Sequence, residues 1–543
     1  MIANLLACAG CAYAATKVWA LYRAGHDSAD AVTAVVCVLG VCFATNAYRG
    51  YRMTRRVRKA HKATRRIRKT QGRARWGTNT DAKRARMNRK GGYFIGELDG
   101  VPRYYNGQGS VFCFAPPGTG KTTSSSIMQL LRPHRDERGR PVSMFVLDLK
   151  LELYAVTARR LRRLGYRVVL LCPWAERMSR ELRIDLEDTG FNPFLPLLTA
   201  GDETKDYAEL LAELMLPGSK NMSGSSQFFL DFGREILTWG MLCLARLGDP
   251  ARVNPVELRR LLMMPGKEFD DLLAETCFAD EFGGALRQYA NKLAETKLNA
   301  SEEWSGAINT ATKAMRVYDE LGPLGKHCSA VGGFDFSTIK DRPTVVFLGW
   351  PAERTSTHAP WINAVTSVAI EQIARDRSTK RVMCLFDEFA NAGYLPGVIK
   401  ALGLYRSQGL QFVFYAQTAS QIIRIYGSEG LRDFMGMCAV IQAFAVRDPE
   451  TLRTLSELGG HETVRSVSHN VQADLHGHNG GAAFSSGSSA QGRPLVRIEE
   501  IRTLPDDKQL VFVDNKPPFL MEKVSYLSRR RWRRHADPNP YYA

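Results

Sequence analysis

The 543-residue chain has eleven cysteines, and none stand at the spacing of a metal-ligand set. A zinc module is therefore excluded. Four cysteines lie in an apolar N-terminal stretch (Cys8, Cys11, Cys37 and Cys42) and the other seven are scattered. That usage fits small apolar filler in a reducing compartment. Acid is scarce in residues 49–90, where Asp81 is the lone carboxylate among many Lys and Arg, and residues 49–75 hold none. The net charge of +19 comes almost wholly from that segment, and the rest is close to neutral. This excludes a generally basic protein and points to one basic surface. A basic segment is also missing ahead of the first apolar run. That weighs against a cleaved signal peptide, and against the lipoprotein-like outline of Leu5-Leu6-Ala7-Cys8. Finally, strand signals are missing from residues 202–322, which read as helix throughout.

What is present begins with two apolar runs. Residues 2–16, extended past Lys17 by Val18 to Tyr22, and residues 31–48 each approach the length that crosses a bilayer. A short polar segment separates them, so the spacing predicts an N-terminal transmembrane hairpin over 1–48. Lys17 is a cost that snorkelling near the helix end relieves. The acid-free run that follows places the second span's C-terminal side in the cytoplasm. The reading is a two-pass protein of the bacterial inner (cell) membrane with cytoplasmic soluble domains. The same basic run either sets topology alone or also touches lipid headgroups or a nucleic acid backbone.

The chemistry centres on Val111-Phe-Cys-Phe-Ala-Pro-Pro-Gly-Thr-Gly-Lys-Thr-Thr123. A short apolar strand, a Gly/Pro turn, Lys, Thr and a helix follow in the order that a phosphate-binding loop requires. Pro117, Gly118, Thr119, Gly120, Lys121, Thr122 and Thr123 would cradle the phosphates of ATP. Lys121 would reach the β/γ-phosphates, and the Thr122 hydroxyl would bind Mg²⁺. Ala115 stands where the full pattern has its first Gly. Downstream, Val382-Met-Cys-Leu-Phe-Asp387-Glu388 reads as a strand that delivers Asp387 to the Mg²⁺ shell and Glu388 to the attacking water. The strand over 411–417 ends in Gln417, at the sheet edge where ligands bind, so Gln417 is a sensor of the γ-phosphate or its water. Strand, helix and strand from residue 143 to 172 predict a parallel α/β sheet. Phe229, Phe232, Ile236, Trp239 and Cys243 fall on one helical stripe and read as core. Residues 466–492, rich in Ser, Gly and His, read as a loop.

These residues, taken together, resemble the type IV secretion coupling proteins, the membrane-anchored ATPases of conjugative DNA transfer. The similarity rests on residues 115–123, on Val146-Leu-Asp-Leu-Lys-Leu-Glu-Leu153 and on Phe191 to Phe194. It also rests on Leu385-Phe-Asp-Glu-Phe-Ala-Asn-Ala-Gly393, on Ala416-Gln417-Thr-Ala-Ser-Gln421 with Tyr426-Gly427, and on Glu500-Ile-Arg-Thr-Leu504. It runs from about Arg73 to the C-terminus. Leu151 stands where that family commonly has Gly. The resemblance implies a RecA-like P-loop NTPase domain, in two parts over 91–200 and 331–543, split by an all-α domain over 201–330. A basic linker over 49–90 would join it to the hairpin. It implies a homo-hexameric ring, DNA-stimulated ATP hydrolysis, and delivery of relaxase-bound single-stranded DNA, or protein, to the components of a type IV secretion channel. It also suggests Arg406 as an arginine finger acting on the neighbouring subunit. Two other readings stay open: another RecA-like translocase of the septal chromosome type, and a membrane adaptor that docks cargo without turnover.

Overall fold

Thirteen strands are placed by short apolar runs and by turns, in a computed structural model. It describes residues 72–218, 224–472 and 483–542, with scattered residues between 13 and 55. The strands are β1 Tyr93–Leu98, β2 Val101–Tyr105, β3 Ser110–Phe114, β4 Ser143–Leu147, β5 Arg167–Leu171, β6 Thr344–Leu348 and β7 Val382–Phe386. They continue as β8 Leu410–Ala416, β9 Cys438–Ala443, β10 His461–Gln472, β11 Ala483–Pro494, β12 Lys508–Val513 and β13 Phe519–Glu522. The described chain forms two compact units: Trp76–Leu455 with Arg497–Ala543, and Met1–Arg75 with Ser456–Val496.

The larger unit holds one eleven-stranded sheet in the order β2-β1-β13-β12-β9-β3-β8-β7-β4-β6-β5. From β9 to β5 all neighbours are parallel, and β12, β13, β1 and β2 are joined antiparallel beyond β9. Strands β3, β4, β6, β7 and β8 are buried at every residue, as a parallel sheet covered by helices on both faces demands. The predicted α/β class is therefore found, and the apolar runs 143–147, 344–348 and 382–386, each read as a strand from the sequence, are β4, β6 and β7. A polar network inside the sheet ties its two parts together. Tyr93 Oη donates to Gln442 Oε1 (2.6 Å), Gln442 Nε2 to Gln509 Oε1 (2.7 Å), and Gln509 Nε2 to the Ile95 carbonyl (2.8 Å).

Between β5 and β6 the chain is helical. Helices Thr204–Met215, Gly224–Arg246, Pro255–Leu262, Gly266–Thr276, Ala285–Asn299, Ser301–Met315 and Pro323–Ser329 carry it, and no strand occurs there among the described residues. The aromatic stripe is core: Ile236 and Trp239 are fully buried. Trp239 packs on Phe269 (5.2 Å between centroids) and donates its indole N–H to Thr276 Oγ1 (3.1 Å).

In the smaller unit the reading of residues 466–492 as a loop is corrected. β10 and β11 pair antiparallel from His461↔Pro494 to Gln472↔Ala483. In the sequence these strands are rich in Ser, Gly, Asn and His, and Val464, Val467 and Val471 do not recur with a period of two, so no hydrophobic period marks them. His476 and His478 lie outside the described residues. So do most of the two N-terminal apolar runs and residues 56–71 of the basic segment. Among the described residues no helix is long and apolar enough to cross a membrane.

Candidate nucleotide site

The phosphate loop follows directly from β3. Ala115, 1% exposed, donates its N–H to the Ala416 carbonyl (2.8 Å) and so continues the ladder with β8. A buried Ala therefore closes the strand, and the turn begins one residue later. Thr119 N–H and Oγ1 both donate to the Pro116 carbonyl (3.3 and 2.7 Å). Gly118 (φ 77°) and Gly120 (φ 83°) take left-handed conformations that a side chain would strain. Lys121 then enters helical geometry. Residues Thr122–Ser126 form a π-helical turn before the α-helix Ile127–Leu131. A widened turn of this kind commonly marks a functional site, and here it stands at the helix N-terminus, the end that favours an anion.

Two carboxylates lie against the lysine, and a third stands behind them at the end of β4. β7 ends beside β4 and brings Asp387 to the loop. Lys121 Nζ lies 3.4 Å from Asp387 Oδ1 and 3.9 Å from Glu388 Oε1. Lys150 Nζ is 3.7 Å from the same Glu388 oxygen. Ser126 Oγ donates to Asp387 Oδ1 (2.8 Å). Glu388 has φ 55°, a left-handed backbone in a non-glycine residue, and Asn391 Nδ2 donates to its Oε2 (2.9 Å). Strain of this sort at a strand end fixes a side chain's direction. Asp148, at the end of β4, accepts from the Tyr154 N–H (2.8 Å). Burial, and then the neighbouring Asp387 charge, push its pKa up to about 8. The carboxyl is therefore mostly protonated at neutral pH, which reduces repulsion beside Asp387.

Leu151, where the resembled family commonly has Gly, is also left-handed (φ 56°) and fully buried. Its side chain covers Gly349, where an added Cβ would lie 2.2 Å from Leu151 Cδ2. Lost backbone freedom at 151 is thus matched by a missing side chain at 349.

The predicted residues do not all converge. Lys121, Thr122, Asp387 and Glu388 share one edge of the sheet. Gln417 lies on the same edge just after β8, half-buried, and accepts from Gln421 Nε2 (3.2 Å). Arg406 lies elsewhere. The helix Pro396–Leu404 ends before it, and Arg406 is an exposed turn residue ahead of β8. A seven-residue strand, roughly 23 Å of backbone, separates it from the edge that holds Lys121.

Sequence reasoning missed several neighbours. Ser126 is one helical turn from Thr122 in a run of hydroxyls, a spacing that carries the signal. The C-terminal segment gave no motif, yet it crosses the site. Lys523 Nζ donates to the Thr119 carbonyl (2.7 Å) and Tyr526 N–H to the Thr123 carbonyl (3.1 Å). Asn539 Nδ2 donates to Glu152 Oε1 (2.7 Å), and Tyr541 Oη to the Lys150 carbonyl (2.8 Å).

The family model for type IV secretory system conjugative DNA transfer matches residues 67–540. The chain belongs to that family. Among curated relatives, it is similar to protein VirD4 of Agrobacterium fabrum, 26% identical over 491 residues, with 85% of this chain and 67% of the relative covered. Conjugal transfer protein TraG of the same organism is 22% identical over 77% of this chain and 60% of its own length. The chain spans 67% to 54% of the length of the first three curated relatives it matches. Of the solved structures, the bacterial conjugative coupling protein TrwB superimposes with a TM-score of 0.58 at 19% identity, over 84% of this chain and 93% of that one. TrwB in complex with ADP and Mg²⁺ gives 0.57 over 83% and 94%. These likenesses show a shared fold, a large mostly parallel sheet as the resemblance implied.

Proposed function

We propose that the chain is a membrane-anchored, ATP-driven coupling protein that recruits a relaxase-bound single strand, or a protein, and hands it to a type IV secretion channel. The observation that carries this is the meeting of Lys121, Ser126, Asp387 and Glu388 at one sheet edge, in a chain of the conjugative DNA transfer family. Relatives support the ligand: TrwB has been solved with ADP and Mg²⁺ and with a non-hydrolysable ATP analogue.

The residues fit a nucleotide and its cation. The left-handed glycines open the loop, and the Lys121 ammonium leans on carboxylates where a phosphate would otherwise take it. Mg²⁺ binds through one or two protein oxygens plus phosphate oxygens, so a dedicated ligand cage is not needed. The Thr122 hydroxyl and Asp387 are the groups that would hold it, and it would neutralise charge on the transferring phosphoryl group. Lys121 binds the β/γ-phosphates, and Glu388, aimed by its strained backbone, orients the attacking water. Gln417 reports on that water from the next strand.

Arg406 is too far from its own site to act there. In a homo-hexamer it serves as a finger for the neighbour's site, which its exposure and its lack of an ion pair among the described residues favour. The apolar runs of residues 1–48 anchor the chain as a two-pass hairpin of the inner membrane. A periplasm-active reporter should signal near Asp27 and stay silent near Gly77; signal at Gly77 would reverse the topology. The functional test is steady-state ATP hydrolysis with and without single-stranded DNA. Turnover stimulated by DNA is expected, and no turnover under either condition would favour a docking adaptor.

A further inference from the structure

The phosphate loop is held by a part of the chain that no nucleotide motif includes. Lys523, the first residue after β13, donates from Nζ to the Thr119 carbonyl (2.7 Å), across 404 residues of sequence. Lys523 is itself fixed from two sides. Its backbone N–H donates to the Asp507 carbonyl (2.7 Å), and its ammonium lies 5.0 Å from the centre of the Phe444 ring. Phe444 is 1% exposed and donates its N–H to the Phe114 carbonyl (2.9 Å), so the cation is seated beside the strand from which the loop springs. The segment that follows stays on the site. Tyr526 N–H donates to the Thr123 carbonyl (3.1 Å), and further on the Trp532 ring meets the Arg132 guanidinium at 4.4 Å.

The bond to Thr119 fixes one peptide. The peptide between Thr119 and Gly120 is trans, so its C=O and N–H point in opposite directions. Lys523 holds the carbonyl and thereby sets the Gly120 N–H on the far side, where it has no acceptor among the described residues. The loop's own bonds leave this peptide free. Thr119 N–H and Oγ1 both go to the Pro116 carbonyl, which fixes the peptide before Thr119. Ser124 N–H takes the Gly120 carbonyl (2.8 Å), which fixes the peptide after Gly120. Between them, Gly120 (φ 83°) crosses to negative φ at little cost, since no side chain resists. A phosphate loop works by turning N–H groups towards its anion. Turned over, the Thr119–Gly120 peptide would present an oxygen to the phosphate and repel it.

We propose that Lys523 is a positioning residue of the nucleotide site: it pins the Thr119–Gly120 peptide and so keeps the Gly120 N–H for a phosphate oxygen. This role rests on reading residues 115–123 as a nucleotide site, and it needs no hydrolysis.

The test uses the full chain. Binding of Mg²⁺-ADP and of a non-hydrolysable ATP analogue with Mg²⁺ is followed by equilibrium dialysis, at low and at high salt. Lys523→Met removes the donor and keeps an apolar stem against Phe444. It should weaken both ligands by about fivefold or more, the worth of one hydrogen bond, at an unchanged melting temperature. Lys523→Arg keeps a donor and should bind within about threefold of wild type. Peptide geometry is not screened by ions, so the loss in Lys523→Met should persist at high salt. If Lys523→Met does not fold, Lys523→Gln replaces it; its amide is one bond too short to reach Thr119, and the same loss is expected. The pin is refuted if the uncharged variant binds as wild type does, if its loss vanishes at high salt, or if Lys523→Arg is as weak. A wild-type chain that binds neither ligand refutes the nucleotide reading itself, and the pin with it.

Discussion

The parallel and antiparallel parts of the one large sheet differ in pattern and in what they carry. The parallel strands are unbroken apolar runs, and each of β3, β4, β7 and β8 hands a polar group to the same edge: Lys121, Asp148, Asp387 with Glu388, and Gln417. The antiparallel strands are mixed. β2 begins exposed, β13 alternates, and none delivers a group to that edge except through the tail that follows β13. Their polar interior points inward instead, as the Tyr93–Gln442–Gln509 network. One part carries the candidate site on a scaffold that the other braces.

Changes in the two parts should therefore fail differently. The largest effect is expected from Lys121→Ala, which removes charge from a surface loop. Hydrolysis should fall to background, with melting temperature unchanged. Arg406→Ala comes next. A finger that operates is worth roughly 10³–10⁵ in rate. Mixed with Lys121→Ala subunits, it should regain activity that neither variant has alone. A mixture that co-assembles and stays dead removes Arg406 from the mechanism.

Stability separates the parts further. The Asp148 pKa of about 8 exceeds the unfolded value of about 3.9, so between these the folded chain holds a proton that the unfolded chain has lost. Stability contributed by this group is full below pH 4 and declines as pH rises towards 8. From pH 5 to 7.5 the loss is on the order of 3 kcal/mol, and Asp148→Asn should flatten that slope in denaturant melts. In the antiparallel part, Gln509→Ala removes the 2.7 Å bond from Gln442 Nε2 and the 2.8 Å bond to the Ile95 carbonyl, which leaves those two groups only their longer 3.2 Å bond to each other. It should cost about 2 kcal/mol while turnover at 25 °C persists. Lost turnover in a folded Gln509→Ala chain would mean that bracing and chemistry are not separable.

Legibility follows the same division. The parallel strands over 143–147, 344–348 and 382–386 could be read to the residue, because burial on both faces leaves a continuous apolar run. The antiparallel hairpin β1–β2 carries its signal in Asp99-Gly100, both at positive φ, rather than in hydrophobicity. The sequence of β10 and β11 has no hydrophobic period, and composition alone makes them look like loop. At the site, Lys121, Asp387 and Glu388 were legible as motifs with local spacing. Lys523, Tyr526, Asn539 and Tyr541 were not, since contacts across more than 350 residues leave no period in the chain. Leu151 was visible only as a departure, and its meaning needed Gly349.

The central claim is that the carboxyl edge of the parallel strands is a hydrolytic ATP site with Glu388 orienting the water. Glu388→Gln tests it most directly, because the amide keeps size and polarity while losing charge. Binding of an ATP analogue and single-turnover hydrolysis should be measured on the same sample. The account predicts wild-type affinity with hydrolysis reduced at least a hundredfold. Wild-type hydrolysis by Glu388→Gln would contradict it.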